Sequence, residues 1–166
     1  MNLTKLSAVA EIISSVAILI TLAYLALEMR QNTIAVQGAT RQAMLSEDRE
    51  ILFKQLDNPH VYPFVHDVGS LTDEQKIQAS AWLVAFSRVR EGIWLQYENG
   101  AIDERTFRSY LSPFVAVLSL EHTREWWRRR TARGVFDQGF VDHINEILAE
   151  MPIQPQVSIA EETGWE

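Results

Sequence analysis

The stretch Leu6–Leu27, LSAVAEIISSVAILITLAYLAL, decides how the rest of this chain is read. Sixteen uncharged, mostly apolar residues separate Glu11 from Glu28, and at ~1.5 Å rise per residue they cover ~24 Å as a helix. That falls short of a ~30 Å hydrocarbon layer. Counted from Leu6 the run has 22 residues and reaches ~33 Å. It therefore predicts one transmembrane helix, with Glu11 near an interface or shielded by protein. A secretory signal fits less well, because the apolar run is long, Glu11 interrupts its start, and Ala23 and Ala26 lack the small-x-small spacing of a cleavage site. The chain carries Met1, so no segment is expected to have been removed. A buried core helix would need neighbours around its whole apolar circumference.

Polar residues in this run fall in register. Glu11, Ser14, Ile18, Thr21, Leu25, Glu28 and Asn32 follow alternating steps of three and four, which puts them on one seam of a helix. Ile13, Val16, Leu19, Ile20 and Leu27 mostly face elsewhere. Polar side chains in lipid normally face a partner helix or a wet cavity, so the seam predicts self-association or contact with other membrane-protein subunits. Serine and threonine can also bond the preceding helical turn, and the two glutamates lie at the ends, where water reaches. The same seam with acidic rings at Glu11 and Glu28 would suit a cation pore lined by Glu11, Ser14, Thr21 and Glu28.

Composition bounds the remainder. The 166 residues allow one anchor and one domain of ordinary size, and 47% hydrophobic content is enough for a core. A net charge of −7 argues against nucleic acid as a partner, because phosphate binding needs surplus Lys and Arg. Without cysteine there is no disulfide, thiolate nucleophile or cysteine metal site. Lys5 stands before the span, and Arg30, Arg41 and Arg49 come after it. That balance tilts the carboxy-terminal domain to the cytoplasm.

Beyond the span the pattern stays helical, so the expected fold is all-α: a transmembrane helix continuing into a long helix, then a small antiparallel bundle. Residues 1–32 form the anchor and 33–57 its extension, on which Ile34, Leu45, Leu52 and Leu56 share a stripe flanked by Phe53. A bend or break is expected at Gln31–Thr33 or at Gly38. The bundle covers 58–151. Asn58-Pro59 predicts the end of one helix and the capped start of a short second one through His60, Tyr62, Pro63 and Phe64. Thr72-Asp73-Glu74-Gln75 is a capping box. After it, Trp82, Phe86, Val89, Ile93 and Tyr97 make one face, with Asn99-Gly100 as the stop. Arg90, at the edge of that face, calls for a structural ion pair.

Asp103 opens the next helix, which the short connection makes antiparallel to its predecessor. Ser112-Pro113 is expected to kink or restart it. A last helix runs about Asp137–Met151, closed by Pro152 and Pro155. Residues 152–166 form an acidic tail, expected to be flexible, that includes Trp165 and Glu166.

The densest local charge is Thr123–Arg133, where Arg124, Arg128, Arg129, Arg130 and Arg133 accompany one glutamate and the pair Trp126-Trp127. Arginine beside tryptophan suits a lipid headgroup layer, or a protein or nucleic-acid partner. It also suits plain packing, with one tryptophan inside and the arginines paired to surplus acids.

Catalytic patterns are thin. His143 and Glu146 stand at i and i+3 beside Asp142, but a di-metal bundle needs that arrangement twice. The six-residue spacing of His60 and His66 beside Asp67 does not put both imidazoles on one helical face. There is no phosphate-binding glycine loop, dinucleotide fingerprint, nucleophile elbow or zinc-protease motif. The sequence thus predicts no enzyme, metal or cofactor.

Four segments carry a resemblance: AEIISSVAILITLAYLALEMRQNT, LDNPHVYPFVHDVGSLTDEQ, YENGAIDERTF, and TREWWRRR ahead of GVFDQGFVDHINEIL. Over about residues 6–150 the chain resembles a family of uncharacterised bacterial single-pass membrane proteins with a small helical domain. The resemblance implies a bacterial cell-membrane location and an all-helical fold, and it assigns no activity or site residues. Together these readings predict a membrane-anchored interaction or structural protein that self-associates, with a cation pore or an accessory subunit of a larger complex as alternatives.

Overall fold

A computed structural model describes residues 3–61 and 68–154. Tyr62–Asp67, including Pro63 and His66, and the tail from Pro155 to Glu166 lie outside the described residues. The chain is all-helical: α1 (Leu3–Asp57), α2 (Asp73–Glu98), α3 (Glu104–Ser119), α4 (Glu121–Thr131) and α5 (Gln138–Glu150). Short 3-10 turns at Pro59–Val61 and Val68–Ser70 lie between α1 and α2. By contacts the chain divides into two units, Met1–Arg41 and Gln42–Glu166.

The first unit is the apolar part of α1. Helical hydrogen bonding is uninterrupted through Gln31–Thr33 and Gly38, where the sequence predicts a bend or break. A single glycine costs a helix only ~1 kcal/mol relative to alanine. The flanking Ala35, Gln37, Ala39 and Gln42 are good helix formers, so the helix continues.

The second unit begins inside α1. Residues 42–57, expected to belong with the anchor, pack here because Met44 and Ile51 enter the core. At the end of α1 Asn58 closes the helix instead of capping the next one: its Nδ2 donates to the Lys54 carbonyl at 3.0 Å and its backbone N–H to Gln55. Pro59–Val61 then make a single 3-10 turn, with Val61 buried.

α2 starts at the capping box that the sequence predicts. The Thr72 hydroxyl accepts the Gln75 N–H and Gln75 Oε1 accepts the Thr72 N–H. It ends in a paired C-terminal motif, with Gly100 N–H to Tyr97 O and Ala101 N–H to Gln96 O. Gly100 takes φ +70°, a conformation that disfavours any residue with a Cβ. The chain then reverses, and α3 is capped by Asp103, whose carboxylate accepts the Thr106 N–H at 2.8 Å. Tyr97 stacks on Phe107 at 4.5 Å and Phe86 meets Phe114 at 5.6 Å, the pairing order of antiparallel helices. Pro113 lies inside α3 without restarting it.

The break comes at Leu120, which is extended and buried between α3 and α4. Three successive carbonyls at the end of α3 find donors from beyond the helix. Val117 O accepts the Thr123 hydroxyl, Leu118 O accepts Arg124 Nε at 2.7 Å, and Ser119 O accepts the Gln154 N–H at 2.9 Å. Gln154, expected in the loose tail, is thereby tied to the bundle. α5 begins at Asp137, whose carboxylate accepts the N–H groups of Gly139 and Phe140. Here α5 approaches α2 closely, since a Cβ on Gly139 would stand 2.8 Å from the Trp94 ring. The core is aromatic: Phe114 and Phe140 are fully buried, and Trp127 packs on both edge to face.

Candidate functional site

The seam residues Glu11, Ser14, Ile18, Thr21, Leu25 and Glu28 are all exposed on α1. Hydroxyls along this helix bond their own turn: Ser15 donates to Glu11 O at 2.8 Å, Thr21 to Ala17 O at 2.9 Å and Thr33 to Met29 O at 2.9 Å. Their donors are therefore satisfied without a partner helix. Glu11 and Glu28 have no ion pair among the described residues. Leu25, Glu28 and Asn32 line one shallow groove together with Met29 and Ala35.

The arginine and tryptophan segment forms α4, a helix that the sequence pattern does not predict. Helical geometry distributes its side chains instead of presenting them as one patch. Trp127 is 1% exposed, stacks on Phe136 at 5.2 Å and donates Nε1–H to Asn145 Oδ1 at 3.0 Å. Trp126, one residue away and half-buried, donates to Ser80 Oγ of α2 at 3.0 Å. Arg124 turns inward: besides Leu118 O, its Nη1 donates to Leu148 O at 3.0 Å, so one guanidinium closes the ends of α3 and α5. Burial pulls its pKa below the ordinary arginine value.

On the outer side Glu125 accepts Arg128 through Nε and Nη2 and Arg129 through Nε, at 2.7–2.9 Å. Hydrogen bonds from Arg128, then Arg129, hold its carboxyl down at about 2. Arg130 donates to Ser80 Oγ at 2.7 Å and lies 6.0 Å from the Trp126 ring centroid. Arg133 stands in the turn after α4 and is exposed. Of the expected patch, Trp126, Arg129, Arg130 and Arg133 line one pocket with His122 and Glu125. Arg124, Trp127 and Arg128 line another with Thr131 and Asn145.

Arg90 is 3% exposed, and its ion pair is with Asp48 of α1 at 2.6 Å. The Phe86 ring lies 4.3 Å beneath the guanidinium. Burial lowers the Arg90 pKa, opposed by Asp48. Glu91, also buried, accepts Arg88 Nη1 at 2.6 Å and the Asp137 N–H at 2.5 Å, which anchors the start of α5.

His60 and His143 have separate surroundings. His60 Nε2 pairs with Gln78 Oε1 at 2.6 Å, and the His143 ring lies 5.6 Å from Phe107. Asp142 accepts from Gln138. No three metal-binding side chains converge among the described residues.

Fold and site define a class: an all-helical protein with one amino-terminal helix long and apolar enough, among the described residues, to cross a membrane. Comparison with known protein families, curated proteins and solved structures finds no match to this chain.

Proposed function

We propose that this protein is anchored by α1 in the cell membrane of a bacterium, with its bundle in the cytoplasm, and self-associates through the seam Glu11, Ser14, Ile18, Thr21, Leu25 and Glu28. The observation that carries the anchor is exposed apolar surface. Ile12, Ile13, Ile18, Leu19, Ile20, Leu22 and Leu27 each leave more than half their surface uncovered. At roughly 1 kcal/mol apiece for half-burying such side chains, leaving them in water forgoes an energy comparable with the ~5–15 kcal/mol stability of a whole domain. Lipid or a partner helix removes that penalty.

Self-association is supported by the heptad-like register of the seam and by its two carboxylates, Glu11 and Glu28, which have no ion pair among the described residues. Native mass spectrometry of the intact chain in mild detergent tests it. The expected result is an integer multiple of 19.0 kDa, reduced by Glu11→Leu combined with Thr21→Leu; an unchanged mass rejects the seam. The same two carboxylates also favour a second reading, a cation pore. In that case liposomes containing the protein conduct cations and Glu11→Gln abolishes the current, whereas sealed liposomes leave a structural oligomer.

A further inference from the structure

His122, Trp126, Arg130 and Arg133 follow steps of four, four and three, with Arg129 four before Arg133, so α4 and the turn after it bring them to one side. There they line an open pocket of about 410 Å³. Glu125 is its one acidic wall, and that carboxylate is already held by Arg128 and Arg129. Arg129 gives Glu125 only its Nε, so its terminal amino groups keep their donors. Arg130 has no carboxylate partner among the described residues, and Arg133 makes no side-chain hydrogen bond or ion pair among them. In a chain of net charge −7 this is a local reversal of sign.

The pocket is also held in place before any ligand arrives. One oxygen, Ser80 Oγ, takes both the Trp126 indole N–H and the Arg130 guanidinium, tying wall and donor to α2. We propose that this pocket binds a phosphate group, on a small molecule or a lipid headgroup, with Arg129, Arg130 and Arg133 as donors and the Trp126 ring against the ligand's apolar part. Guanidinium forks match pairs of phosphate oxygens, and the surplus positive charge suits a phosphomonoester dianion better than a single carboxylate. The volume lies in the range of small-molecule sites, and the half-buried Trp126 indole that lines it can stack on a ring.

The test uses the full chain in phosphatidylcholine nanodiscs, titrated calorimetrically with phenyl phosphate. Saturable binding is expected, weakened at least fivefold by Arg133→Gln and unchanged by Arg105→Gln, an exposed arginine on α3. The Arg133 side chain makes no hydrogen bond or ion pair among the described residues, so an unaltered melting temperature separates lost binding from lost structure. Absence of saturable binding, or equal weakening by both variants, overturns the proposal. The source of the phosphate is read by repeating the titration in discs of matched charge. If phosphatidic acid weakens phenyl phosphate binding at least fivefold while phosphatidylglycerol does not, a lipid headgroup occupies the pocket. Equal affinity in both discs points to a soluble ligand.

Discussion

Asp48 and Arg90 join the carboxy-terminal part of α1 to α2 through a buried ion pair. The two partners are unequal, because Arg90 is almost wholly buried while the Asp48 side chain keeps 25% of its surface exposed. Two guanidinium nitrogens, Nε and Nη1, have no hydrogen-bond partner among the described residues, where Asp48 and the Phe86 face compensate this charge. Removing the carboxylate leaves a buried cation alone, at a cost of about 3–5 kcal/mol. Replacing the arginine by methionine keeps the volume and lets Asp48 turn to water. Asp48→Ala is therefore expected to destabilise by several kcal/mol more than Arg90→Met, and the double variant to recover most of the difference in urea unfolding. Equal losses from the two single variants would show that the pair matters only as packing.

α4 shows how one element gives adjacent residues unlike tasks. Trp126 and Trp127 differ by about 100° around a helix, enough to place one against α2 and the other in the core. Thr123 and Arg124 serve the end of α3, while Arg128 and Arg129 stay outside on Glu125. That outer cluster carries a pH signature. The Glu125 carboxyl is depressed from its ordinary 4.5 to about 2. Its stabilising contribution is thus complete above about pH 4.5 and is lost as pH falls toward 2, where the folded carboxyl takes up its proton. The difference in melting temperature between wild type and Glu125→Gln should be constant from pH 7 to 5 and vanish near pH 2. The difference will be small, since exposed pairs are screened by water, and a difference that persists at pH 2 would show that the charge is not its cause.

For the whole molecule, the exposed apolar stretch of α1 is long and apolar enough to cross a membrane, and that is testable. The intact protein is expected to stay with membranes through alkaline carbonate washing and to leave them only in detergent; release by carbonate alone would rule out the span. The bundle, by contrast, has a closed aromatic core with Phe114, Phe140 and Ile144 fully buried. It needs no lipid to cover them.

The all-α architecture, the apolar run, the capping box at Thr72, the Asn99-Gly100 stop, the Asp103 cap and a last helix from about Asp137 were legible in the sequence because each depends on neighbours within a few residues. Local hydrogen bonds and helical periodicity repeat with fixed spacing, so order along the chain specifies them. The partner of Arg90, the double task of Arg124, the seating of Gln154 and the division of the arginines between two pockets were not legible. Each joins groups far apart in sequence: Asp48 meets Arg90 across two helices, and Arg124 caps α3 and α5 at once. Sequence alone determined that this chain is helical with one apolar helix of membrane-spanning length. Tertiary structure alone decided which charges are compensated and which remain open, because compensation depends on distances between helices that no local spacing records.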